Sequence, residues 1–172
     1  MRYPLFAGAF ALACTMSAAA YSHVTLEAQQ AVAGSTYKAI FRVPHACGES
    51  PTIRIRVQIP DGVTAVLPQP KAGWQLATVK AKLATPLSDG HGGQITEGVR
   101  EVTWSGGKLQ HDHYDEFVLR AALPDAPNTT IYFPVVQDCE QGANRWIEIP
   151  EPGKTTADYK QPAPLLRLLP KP

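Results

Sequence analysis

Thr52-Ile53-Arg54-Ile55-Arg56-Val57-Gln58-Ile59, followed at once by Pro60-Asp61-Gly62, decides the fold class. Apolar side chains occupy every second position. On an extended chain Ile53, Ile55, Val57 and Ile59 therefore point to one side, and Arg54, Arg56 and Gln58 to the other. A strand of this kind covers a core with one face and meets water with the other, as antiparallel sheets do. Asp61-Gly62 supplies the turn that ends it.

Working outward, the same alternation recurs between clusters of Gly, Pro, Asn and Asp, and no long stretch repeats at helical spacing. Strands are expected at His23 to Glu27, Thr36 to Val43, Thr52 to Ile59, Trp74 to Lys82, Val99 to Trp104, Glu116 to Ala122, Thr130 to Gln137 and Arg145 to Ile149. Gly106-Gly107 reads as the turn after Trp104, and Gly142 to Asn144 as the turn before the last strand. Pro134 cannot donate to a sheet ladder, so its strand is expected at an edge or at a bulge. Seven to eight or more short strands at these spacings predict an all-β protein, an immunoglobulin-like or cupredoxin-like β-sandwich.

The chain has 172 residues, 44% hydrophobic and 18% charged, which suits one globular domain with a sizeable core. Residues 1–22 read as a secretory signal peptide: Arg2, the apolar run Leu5 to Ala13, then Ser17, Ala18, Ala19 and Ala20. The run is too short to span a membrane. Small residues at Ala20 and Ser22 place the cut after Ser22, leaving His23 as the first residue; a cut after Ala20 is the alternative. Ala11-Leu12-Ala13-Cys14 is a second alternative, a lipoprotein-like box with its leucine one place late. The organisation expected is thus a signal peptide over 1–22, a β-sandwich over 23–150 and an extended Pro-rich tail over 151–172, packed along the body.

Loss of residues 1–22 leaves 15 Lys and Arg against 15 Asp and Glu. No basic stripe or polybasic patch is present, so nucleic acid and anionic membranes are not expected partners. The cut also removes Cys14 and both methionines, leaving Cys47 and Cys139 as the two cysteines. Outside the cytoplasm such a pair reads first as a disulfide, with a thiolate metal site as the other reading.

Pairing of the first two strands through the turn near Gly34-Ser35 sets His23 beside Pro44 and His45. A Cys47–Cys139 bridge ties the loop His45 to Ser50 to the turn that starts at Asp138, and Trp146 follows that turn. His23, His45, Glu49, Cys47, Cys139 and Trp146 are therefore expected at one pole, whereas Glu27 lies about 13 Å along its strand. An N-terminal histidine offers two nitrogens, its free α-amine and its ring Nδ1, which close a chelate on a metal. Amine and imidazole, completed by a carboxylate such as Glu49 or by water, suit Cu(II). Blue copper and structural zinc are disfavoured, because the thiolate, thioether and paired Cys/His spacings they need are missing.

A set of short runs carries a resemblance over almost all of the chain after Ser22. They are His23-Val24-Thr25-Leu26, Phe41-Arg42-Val43-Pro44, Val57 to Val63, Pro70 to Trp74, Thr103-Trp104-Ser105-Gly106-Gly107, Asp115-Glu116-Phe117 and Trp146. In this order they resemble the YcnI family of secreted copper-binding domains. The resemblance implies a single-histidine brace for Cu(II) at His23, Trp146 close to the metal, and a role in copper trafficking or homeostasis. Its expected partners are another periplasmic copper chaperone or a membrane copper transporter. The acidic residue that follows Val-Pro in many relatives is displaced here to Glu49 by Cys47-Gly48. Two other readings stand beside this one. A copper oxidase with an N-terminal His brace needs a second histidine, for which His45 is placed; a metal-free interaction module needs none. His91, His111 and His113 read as loop residues, with His111-Asp112-His113 the alternative accessory metal site.

Overall fold

The computed structural model describes residues 23–88 and 92–172. Among the described residues the chain is all-β apart from one short turn of 3-10 helix, Thr156–Asp158. Its strands are β1 (Thr25–Leu26), β2 (Gln30–Val32), β3 (Thr36–Val43), β4 (Thr52–Gln58), β5 (Thr64–Pro68), β6 (Gln75–Ser88), β7 (Gln94–Leu109), β8 (Asp115–Ala122), β9 (Thr130–Tyr132), β10 (Val135–Cys139), β11 (Ala143–Trp146) and β12 (Leu165–Leu169). Four of them form one sheet in the order β1-β3-β8-β5, five form a second in the order β11-β10-β4-β7-β6, and β2-β12-β9 make a small third sheet. This is a β-sandwich, as the alternation in β4 predicts. Ile55 and Val57 are buried in it, while Arg54 and Gln58 are exposed.

The core joins the inner faces of the sheets. Phe41 of β3 meets Phe133 edge-on at 5.7 Å, and Trp104 of β7 meets Phe117 of β8 at 5.6 Å. Trp104 lies fully buried because its indole N–H donates to the Gln69 carbonyl at 3.0 Å, which satisfies its one polar group. Outside, Asp138 of β10 accepts from Arg54 at 2.7 Å and from Arg56 at 3.1 Å across the ladder. Burial opposes ionisation of Asp138, but these two guanidinium groups outweigh it and hold its carboxyl below the ordinary value.

Several local expectations are corrected. Gly106-Gly107 makes no turn; both glycines lie inside β7, where the pairing with β4 slips between Thr52 and Arg54. They form a bulge that Trp74 requires: a Cβ on Gly107 would sit 2.1 Å from Trp74 Cε2, so only glycine lets that indole lie against the strand and meet Phe117 at 4.9 Å. Ile53, at this slip, is only half-buried. The single strand expected over Thr130 to Gln137 is two, β9 and β10, in different sheets. Pro134 stands at the switch, neither on an edge strand nor in a bulge, and its carbonyl still accepts from the Gln58 N–H at 2.9 Å. The strand expected from His23 is short, because the chain leaves β3 after Glu27, whose N–H donates to the Ile40 carbonyl at 3.0 Å, and joins β12 through β2.

The segment after Pro150 contributes β12, parallel to β2 and antiparallel to β9, with Leu166 and Leu168 fully buried. No helix among the described residues is long and apolar enough to cross a membrane.

Candidate metal centre

β1 is the edge of the four-stranded sheet and β11 the edge of the five-stranded sheet. The antiparallel register Thr25↔Arg42 and Leu26↔Phe41, continued by two residues, sets His23 opposite Pro44. On the other sheet the β10–β11 hairpin turns at Gly142, with φ of +82°, and its register Val135↔Trp146 directs Trp146 inward. At this corner the half-buried His23 ring and the Trp146 ring lie 5.6 Å apart between centroids, tilted by 51°. Trp146 is only 5% exposed. The two residues thus meet as the sequence predicts, each brought by an edge strand of its own sheet.

His23 also lines a small cleft, one wall of which comes from the segment after Pro150. Val24, Thr25 and Gln29 line a cleft of about 60 Å³ with His23, and Thr156, Pro162, Ala163 and Leu165 close it. The segment is held against β11 by main-chain and side-chain bonds: Arg145 N–H donates to Gln161 Oε1 at 2.6 Å, Glu148 N–H to the Gln161 carbonyl at 3.1 Å, and Ala163 N–H to the Glu148 carbonyl at 2.9 Å. A space this small takes an ion with a few waters; organic ligands occupy pockets of roughly 300 Å³ or more.

Cys47 and Cys139 form a disulfide, with Cα atoms 6.2 Å apart. It staples the loop after β3 to the end of β10. Within that loop Cys47 and Ser50 exchange two main-chain hydrogen bonds at 3.2 Å, around Gly48 with φ of +58°. His45 lies at the base of the same loop. Its Nδ1 is 2.5 Å from the Ala46 carbonyl, so that nitrogen is turned to its own main chain.

Glu49 is not brought to His23. Its side chain is 90% exposed, does not line the cleft, and its Oε2 lies 3.5 Å from His111 Nε2 in the β7–β8 turn. Glu27 is held by Arg42 at 3.2 Å, away from the cleft as expected. His113 pairs with Asp112 at 3.6 Å, and His91 lies outside the described residues, as do residues 1–22 with the signal-peptide reading. Among the described residues no group of three or more His, Cys, Asp or Glu side chains is gathered as for a metal. Any metal held at His23 must draw on donors other than such a cluster.

Sequence reading misses Gln137. It lies on β10 opposite Ile55 on one side and Asn144 on the other, on the inner, apolar face of the sheet, and is 0% exposed. Its amide nitrogen donates to the His45 carbonyl at 2.7 Å and to Thr52 Oγ1 at 2.8 Å. Its amide oxygen accepts from Trp146 Nε1 at 3.0 Å and from Asn144 Nδ2 at 3.3 Å. The only signal in the sequence is a glutamine set among Val135, Val136 and Cys139, where an unpaired amide would be costly.

Among curated proteins none matches this chain. Among solved structures it is similar to an uncharacterised protein from Nocardia farcinica whose crystal structure reveals an immunoglobulin-like fold. The two are 26% identical, with 86% of this chain and 98% of that one covered and a TM-score of 0.64. The likeness agrees with the sandwich described above. The family described as "Domain of unknown function (DUF1775)" matches residues 23–168, which take in every strand from β1 through Leu168 of β12 together with the His23–Trp146 corner, and the chain belongs to that family.

Proposed function

We propose that this protein is a secreted, non-enzymatic carrier of Cu(II) that acts in copper trafficking or homeostasis outside the cytoplasm, holding the ion through the amine and imidazole of His23. The observation that carries the reading is the meeting of His23 and Trp146 at 5.6 Å, beside a small cleft that His23 also lines. The resemblance of the chain to the YcnI family supports it, as does the reading of residues 1–22 as a signal whose removal frees the His23 amine. Copper is the cargo here. It is handed to, or taken from, another periplasmic copper chaperone or a membrane copper transporter.

The donor chemistry fits this cargo. A neutral amine and a neutral imidazole are strong ligands for Cu(II) among the divalent ions, and both must lose a proton to bind. Protons therefore compete with Cu(II) for both nitrogens, and affinity falls as pH drops. Trp146 closes the corner from the inside: its ring excludes water, and its π-face attracts the charge of the bound ion.

The experiment is export of the native chain, intact mass, and Cu(II) titration followed by electron paramagnetic resonance. The expected mass is that of a chain starting at His23 with the disulfide formed, and the expected stoichiometry is one tight Cu(II). A variant with one Gly placed before His23 keeps the imidazole but converts the amine to an amide, and it should lose tight binding, as should His23→Ala. Unchanged stoichiometry in either variant overturns the reading.

A further inference from the structure

We infer that Gln137 is a positioning residue for the His23 corner: it fixes the plane of the Trp146 indole and ties that ring to the loop stapled by Cys47–Cys139. The consequence for metal affinity rests on the copper reading above; the positioning itself does not.

The argument is a count of valences. A glutamine amide has two N–H donors and an oxygen with two lone pairs. All four are used here, by the His45 carbonyl, Thr52 Oγ1, Trp146 Nε1 and Asn144 Nδ2. The orientation of the amide is fixed by chemistry, because the indole is a donor only and can meet nothing but the oxygen. Trp146 lies diagonal to Gln137 across the β10–β11 ladder, at a distance where long side chains on one face reach each other. Gln137 thus takes the indole's single hydrogen-bonding group and leaves the ring surface to meet His23.

The other two bonds of the amide run away from the corner. The His45 carbonyl belongs to the loop closed by the disulfide, and Thr52 Oγ1 also lies 3.6 Å from Cys139 Sγ. A buried amide with a vacant valence is costly, so the four groups hold or loosen together. A glutamine that served the sheet alone would not need the indole at all; an apolar residue at this inward position would pack beside Ile55 without the network.

The test uses the processed protein and its Gln137→Met variant, of similar length and without the amide. In the metal-free proteins the Trp146 indole N–H is followed by nitrogen-15 NMR, assigned through Trp146→Phe. Its exchange with solvent should be at least tenfold faster in Gln137→Met, while the Trp104 indole, bonded to Gln69, is unchanged. Equal Trp146 exchange in the two proteins overturns the inference. For affinity, removal of such a supporting group should weaken Cu(II) binding by roughly tenfold. The same change in a Trp146→Phe background, where the bond is already gone, should weaken it by less than about twofold, the non-additivity expected of groups acting as one unit. Equal losses in both backgrounds also overturn the inference. If the wild-type protein takes up no Cu(II), the copper reading fails and the exchange measurement alone decides the role of Gln137. Should Gln137→Met not fold, Thr52→Val, which strips one anchor from the same amide, is expected to speed Trp146 exchange, and unchanged exchange refutes the proposal.

Discussion

Replacing Cys47 and Cys139 together by Ser should cost this protein about 4.5 kcal/mol, a large part of the 5–15 kcal/mol that typically separates folded from unfolded domains. The figure follows from the span of the bridge. The cysteines are 92 residues apart, so cross-linking them removes loop-closure entropy from the unfolded chain of about 15 cal/mol/K on the chain-entropy model. The folded side adds little that the variant could recover, because Cys139 is buried and the Cys47–Ser50 hairpin keeps its own hydrogen bonds. At about 2–4 °C per kcal/mol for a domain of this size, the melting temperature should fall by about 9–18 °C. Urea unfolding of the oxidised wild type and the double variant at neutral pH measures both midpoint and slope, and the slope should rise in the variant as the unfolded state expands. A loss below about 1 kcal/mol with an unchanged slope would refute the reasoning, since it would mean that the unfolded chain is not freed by cutting a loop of this length.

Three further outcomes follow from single contacts. Gly107→Ala should destabilise the fold by about 1–3 kcal/mol and shift the fluorescence of Trp74, because the new methyl falls within the indole ring and must displace it from Phe117; thermal melts and emission spectra check this. Asp138→Asn should lower stability at neutral pH but make no difference in strong acid: a carboxyl held below 3.8 in the folded state stabilises it above that pH, and the benefit disappears as pH falls through the folded value, which paired urea titrations from pH 7 to pH 2 would reveal. Glu49→Gln should leave Cu(II) affinity within about threefold, because the Glu49 carboxylate is exposed and turned to His111, and calorimetry showing a loss of tenfold or more would instead make it a ligand.

What the sequence disclosed of the fold was whatever depends on neighbouring residues. The period-two pattern of Thr52 to Ile59 is a local property, and the burial of Ile55 and Val57 against exposure of Arg54 and Gln58 follows from it. Gly106-Gly107 was misread because a glycine pair has the same local meaning in a turn and in a bulge. What separates the two is Trp74, more than thirty residues earlier in the chain, whose indole needs the missing Cβ. Pro134 in the sequence points to an edge or a bulge, and not to the place where the chain changes sheets, since that depends on where β12 lies. β12 itself was hidden by the prolines around it. The alternation in Leu165 to Leu169 is brief, and only β2 and β9 give it partners.

The corner at His23 divides along the same line. His23 and Trp146 could be brought together on paper because each follows from one hairpin and one register, and the disulfide supplies the constraint between sheets. The carboxylate could not, because a loop side chain answers to whichever charge is nearest. Glu49 meets His111 across two exposed loops that the register does not relate. Gln137 could not be found for the opposite reason: it is fixed by four partners from three segments, the His45 loop, β4 and β11, and no short window of sequence contains more than two of them. Its bonds nonetheless distinguish the corner from an ordinary aromatic contact. A tryptophan held only by packing can turn with its neighbours, whereas one whose single donor is spent on a fully bonded amide keeps its ring surface turned to His23 whether or not an ion is present. On the copper reading proposed above, a site so prepared would surrender little side-chain freedom on taking up the ion.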